Sequence, residues 1–192
     1  MTLLIIGLIL FLGTHSVRIV ADSWRTQQIA RLGAIPWKLA YTALSVAGIA
    51  LIVWGYAQAR LDPVWLWTPP VWTRHLAAAL TLPALILITA AYVPGTVMRA
   101  RLGHPMLAGT KLWALSHLLA NGTLADLLLF GGFLIWASAA FVACRRRDRA
   151  AASTPRPGTP ARDLLAAAIG VIAWYVLARH LHAILFGVQP FG

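Results

Sequence analysis

Glutamate is missing altogether from the 192 residues, and the acids amount to five aspartates against sixteen lysines and arginines. Recognition of a nucleoside ribose by acidic side chains would therefore rest on those aspartates, most of which fall in loops. Cysteine occurs once, as Cys144, which excludes an internal disulfide. No Cys-x-x-Cys-His run exists, so covalent attachment of a c-type haem is excluded as well. Charge is scarce too: 11% of residues are charged, where soluble domains carry about a quarter. With 60% hydrophobic residues and a mean hydropathy of +0.76, the chain holds more apolar surface than a domain of this size can bury. The composition is that of a polytopic membrane protein, and the nine tryptophans suit its interfaces.

The formal charge of +11 suggests nucleic acid only until its distribution is read. The basic residues lie between apolar blocks, as cytoplasmic loops do, so the expected partner is the lipid bilayer and not nucleic acid. A hydrocarbon core about 30 Å thick needs roughly 20 apolar residues per helix. Six spans are expected, at residues 3–20, 39–57, 76–93, 105–120, 124–143 and 164–186. The predicted fold class is all-α, a transmembrane helix bundle forming a single domain over residues 1–192. The fourth span is short and carries Lys111 and His117, so it is expected to be shielded by other helices. The first lacks a basic n-region and a cleavage site, and reads as a mature helix. Three basic segments alternate along the chain: Arg18 to Lys38, Arg99 with Arg101, and Arg145 to Arg162. The other side receives only Arg60, Arg74 and Arg179, so both termini are expected outside the cytoplasm. Residues 145–162 read as a flexible cytoplasmic linker, with the RRRDR cluster at its start beside anionic lipid. Trp65, Trp67 and Trp72, among Pro63, Pro69 and Pro70, read as an interfacial belt.

Ionisable residues inside a membrane are functional candidates, because burying each is costly. His15 and His117 each lie about four residues past the centre of a span, roughly 6 Å from the midplane. Their helices run in opposite directions, so the two depths differ by about 12 Å. That gap suits two imidazoles reaching a metal from opposite sides of a plate-like ligand. Gly109, Trp113 and His117 share one helix face, as do Phe11 and His15. Glycine opens room beside the helix, and tryptophan could line a flat apolar ligand. Arg18 is expected either to pair with Asp22 or to meet a carboxylate of that ligand. The competing reading makes His15 and His117 polar glue between helices. His75 reads as interfacial. His104, before Pro105, reads as a cap or anchor and is one alternative metal ligand. His180 is the other, and it sits two residues from His182 near the end of the last span.

The segment HPMLAGTKLWALSHLLANGTLADLLLFGGFLIWA, residues 104–137, resembles the NnrU family of bacterial membrane proteins, and THSVR at 14–18 fits that family too. The resemblance implies a place in the bacterial inner membrane and in denitrification, with nitric oxide and nitrite metabolism. The family is also similar to the 15-cis-zeta-carotene isomerase, a membrane enzyme that uses non-covalent haem b. There a first-helix histidine and the histidine after the Leu-Trp block are the proposed axial ligands, which map onto His15 and His117. Ala114 stands where the isomerase pattern has a cysteine, so thiolate ligation is closed to this chain. Gly103-His104-Pro105 replaces Arg-His-Pro, with Arg101 two positions further upstream.

Four functions compete. The resemblance favours a haem b protein of nitrogen-oxide metabolism. A haem-dependent isomerase of a carotenoid or other polyene would use the same two histidines. A membrane methyltransferase would draw on His104, Pro105 and Gly109. A non-catalytic assembly factor would need the histidines only for structure.

Overall fold

The computed structural model describes residues 1–154 and 156–191. Every regular element in it is helical: α1 (Thr2–Val20), α2 (Asp22–Leu32), α3 (Ala34–Ala59), α4 (Trp72–Tyr92), α5 (Val97–Leu102), α6 (Pro105–Ala120), α7 (Leu124–Ala150) and α8 (Pro160–Val176). A π-helical turn at Leu177–Leu181 and the short α9 (His182–Phe186) continue α8. Among the described residues, extended pairing is limited to isolated bridges between Trp65 and Thr123 and between Thr96 and Thr159.

Among the described residues five helices are long and apolar enough to cross a membrane: α1, α3, α4, α7 and the α8–α9 run. Their outward faces are apolar in mid-helix, with Val53 64% and Ile135 74% exposed. In water such faces would be interaction patches or aggregation hazards; hydrocarbon would solvate them. The expected fourth span, α6, forms with the expected bounds. Its 16 residues rise only about 24 Å, short of a hydrocarbon core.

Two other expectations change. The segment after α1, read as a basic loop, is the helix α2. It buries no residue, and its Trp24 meets Trp37 of α3 edge to face at 5.9 Å. The basic cluster read as the start of a flexible linker is instead the last two turns of α7, which stays helical through Ala150.

The chain divides into two compact units, Met1–Leu66 with Thr123–Gly132, and Trp67–Gly122 with the chain from Phe133 on. In the first unit, glycines bring α1 and α3 together. A Cβ on Gly55 would stand 2.2 Å from the Leu4 amide nitrogen, one on Gly7 2.6 Å from that of Ile52, and one on Gly48 2.9 Å from that of Phe11. These three contacts set an antiparallel register and leave Leu4 fully buried. Lipid tails are as apolar as leucine, so close backbone approach and dispersion hold such a pair rather than a hydrophobic drive.

In the second unit α4 is the hub. A Cβ on Gly109 of α6 would meet the Ala84 carbonyl oxygen at 2.6 Å, and one on Gly170 of α8 would meet Ile86 Cα at 2.7 Å. Side chains on α4 and α8 also bond across the pair. The Thr89 hydroxyl donates to the Ala166 carbonyl at 2.8 Å, and Trp174 Nε1 donates to Ala78 O at 3.2 Å.

Candidate functional site

His15 lies on α1, half-buried, at the level where α1 faces Tyr41 of α3. Its Nδ1 is 2.7 Å from the Phe11 carbonyl oxygen, one turn back on the same helix. A carbonyl can only accept, so Nδ1 carries the proton, and in the neutral ring Nε2 holds the lone pair. The ring is flanked by Phe11, with centroids 4.2 Å apart, and by Tyr41 at 5.1 Å.

His117 on α6 repeats this arrangement. Its Nδ1 lies 2.9 Å from the Trp113 carbonyl oxygen, again one turn back, and the Trp113 ring lies 5.2 Å from its own. Trp113 is held edge to face by Phe133 at 5.6 Å. The hydroxyl of the preceding residue donates to its own helix at both sites, Thr14 to Leu10 and Ser116 to Trp113. The two segments, FLGTH and WALSH, share one pattern: aromatic, two apolar or small residues, a hydroxyl residue, histidine. That signal was present in the sequence. Tyr41 carried none, because its place beside His15 depends on the α1–α3 register.

The two histidines belong to different units, and each is described in its own surroundings. At both, the aromatic residue one turn back binds Nδ1 through its carbonyl and flanks the ring with its side chain. With Nδ1 protonated on a carbonyl, Nε2 is the ring nitrogen that carries the lone pair in the neutral imidazole. A backbone carbonyl on the far nitrogen is the usual support of a metal-binding histidine, fixing its tautomer and raising its basicity. A histidine braced in this way is the donor type that haem iron takes from proteins. Among the described residues no three or more His, Cys, Asp or Glu gather to hold a bare metal ion.

The remaining predicted residues fall as follows. Gly109, expected to open room for a ligand, admits the α4 backbone instead. Arg18 Nε is 3.8 Å from the Asp22 carboxylate, which also lies 3.8 Å from Arg25. Ala114 is fully buried. His104 Nε2 donates to Asp148 Oδ2 at 2.8 Å, so its ligating nitrogen is engaged by a carboxylate that ties the start of α6 to the end of α7. Lys111 lies 4.1 Å over the Phe141 ring, which offsets the cost of its charge on an apolar helix. His180 is exposed in the π-turn against Tyr175, and His75 is exposed at the start of α4.

The motif after His117 is structural. The Asn121 amide nitrogens, backbone and side-chain, both donate to the His117 carbonyl at 2.9 Å and so close α6. Gly122 accepts from the Trp67 amide at 3.2 Å, in a place where a Cβ would stand 2.0 Å from Trp67 O. In the other unit, Thr123 and Asp126 bond reciprocally as a capping box for α7. The Tyr56 hydroxyl donates to the remaining oxygen of the buried Asp126.

Fold and site together define an all-helical protein of membrane-spanning dimensions, carrying two histidines each braced by its own helix. The chain belongs to the NnrU family, whose family model, described as NnrU protein, matches residues 3–190. No curated protein and no solved structure matches it.

Proposed function

We propose that this protein is an integral membrane haem b protein of nitrogen-oxide metabolism, with haem held non-covalently by His15 and His117. The observation that carries this reading is the bracing common to the two histidines. Two unrelated imidazoles serving as polar glue would have no reason to share a carbonyl-bound Nδ1, an aromatic one turn back and a preceding hydroxyl residue. In this reading α6 is a sixth, short crossing, shielded by protein. Both termini lie outside the cytoplasm of a bacterial inner membrane, as the alternating basic segments require.

Bound haem would supply iron for electron transfer or for binding nitric oxide. The chain's own contribution is to fix the two imidazole planes, hold both Nδ1 protons on carbonyls, and keep water away from the rings with Phe11, Tyr41 and Trp113. A haem-dependent isomerase of a carotenoid or other polyene is the second reading. The same two histidines would hold the haem in it, and the haem would supply iron for binding the polyene.

The test is the pigment of the purified protein. Membranes from cells supplemented with a haem precursor are solubilised, and the protein is isolated in detergent. A Soret band and acid-acetone release of all the pigment are expected. Colourless protein that takes up no added haemin would overturn the proposal.

A further inference from the structure

One end of the second unit gathers the ends of four helices. His104 and Asp148 tie the start of α6 to the end of α7. The Met98 amide of α5 donates to Asp163 Oδ1 at the start of α8 at 3.1 Å. The Thr159 amide, just before α8, donates to Gly95 O at 2.9 Å, between α4 and α5. Arg99 and Arg101 of α5, Arg146 and Arg149 of α7, and Arg162 of α8 are all exposed at this end.

The acids there are engaged elsewhere. Asp148 accepts from His104, and Asp163 accepts from a backbone amide. Among the described residues none of these five arginines makes an ion pair. A surface this basic, with its own acids turned to other partners, needs anions from outside.

Helix length says where those anions lie. From Leu124 to Cys144, α7 is apolar apart from Asp126 in its first turn and Ser138. That stretch rises about 31 Å, the thickness of a hydrocarbon core. The helix then continues about 9 Å further, through Arg145 to Ala150, which is headgroup depth. Because this extension is helical and clasped at His104–Asp148, its arginines are held at a fixed height rather than trailing on a linker. Arg146 and Arg149 are three apart on it and are therefore neighbours on one face.

We propose that Arg99, Arg101, Arg146, Arg149 and Arg162 form a docking surface for the phosphate headgroups of anionic phospholipids. The guanidinium fork pairs with phosphate oxygens two at a time, which a zwitterionic headgroup offers only against its own cation. This rests on the helices crossing a membrane and is independent of haem.

The test uses the full-length protein, delipidated in mild detergent and offered equimolar phosphatidylglycerol and phosphatidylcholine, with retained lipid read by native mass spectrometry. Wild-type protein should retain phosphatidylglycerol about tenfold over phosphatidylcholine at low salt, and less as salt shortens the screening length. The variant R101Q/R146Q/R149Q/R162Q, with unchanged helical circular dichroism and elution, should lose that preference. R74Q/R179Q, at the opposite end of α4 and in the π-helical turn after α8, should keep it. Equal retention of the two lipids by wild type, or full preference in the quadruple variant, overturns the proposal. So does complete displacement of the lipid by millimolar inorganic phosphate, which would mean a free-phosphate site. Tighter binding of a single-stranded oligonucleotide than of phosphatidylglycerol would make the surface one for nucleic acid and overturn it too. Recovery of the protein from the soluble fraction would sink the membrane reading itself, and is scored separately by fractionation.

Discussion

Replacing Gly55 with alanine adds one methyl group at the tightest point between α1 and α3. Its Cβ would stand 2.2 Å from Leu4 N, 2.7 Å from Leu3 C and 2.7 Å from Leu4 Cα. All three neighbours are backbone, so no side chain can swing aside. Ordinary contact begins at 3.4 Å, so that pair of atoms must move apart by about 1.2 Å to reach it. A shift of that size loosens the packing around Leu4 and forfeits much of the dispersion attraction along the seam. The cost should be about 1–3 kcal/mol, as for other overpacked sites, partly offset by alanine's better helix propensity. On the scale of soluble proteins of 150–250 residues, that lowers Tm by roughly 2–12 °C. Gly13→Ala, on the same α1 but with nothing within 4 Å of the added Cβ, is the matched control and should be neutral or slightly stabilising. The assay is thermal unfolding in detergent, followed by circular dichroism and by fluorescence-detected elution. If Gly55→Ala melts with Gly13→Ala, the glycine seam is not what holds α1 to α3.

Gly122→Ala should destabilise by a similar amount, because its Cβ would collide with Trp67 O; trypsin sensitivity at Arg74 in detergent should rise with it. Asp126→Asn breaks a carboxyl that accepts from Tyr56 and twice from Thr123, and should cost about 1–3 kcal/mol, read as a lower midpoint in the same melt. Tyr41→Phe keeps the ring beside His15 and should leave any haem spectrum near wild type. Tyr41→Ala removes the flank and should shift the spectrum or the haem midpoint potential; identical spectra in both variants would show that Tyr41 does not hold the imidazole.

The long spans were legible because each is a nearly continuous apolar block whose period needs no partner to define it. The aromatic one turn before each histidine was legible from spacing alone. What escaped the sequence depended on register between helices. Tyr41 meets His15 only because Gly7, Gly48 and Gly55 fix how α1 lies on α3. The same holds for Tyr56 and Asp126, 70 residues apart. Gly109 was misjudged for the opposite reason: a missing side chain looks the same in sequence whether a ligand or another helix fills its place. The helix α2 was missed because DSWRTQQIARL has no apolar face long enough to announce itself.

The central claim is tested most directly by haem content and spectrum in His15→Ala and His117→Ala, beside His104→Ala as a control whose ring nitrogen is already bound to Asp148. Each protein is purified in the same detergent, and haem is quantified as the pyridine complex alongside the visible spectrum. The account predicts that His15→Ala and His117→Ala each lose haem or show altered axial ligation, while His104→Ala keeps wild-type stoichiometry and bands. Wild-type spectra and haem content in both His15→Ala and His117→Ala would contradict it.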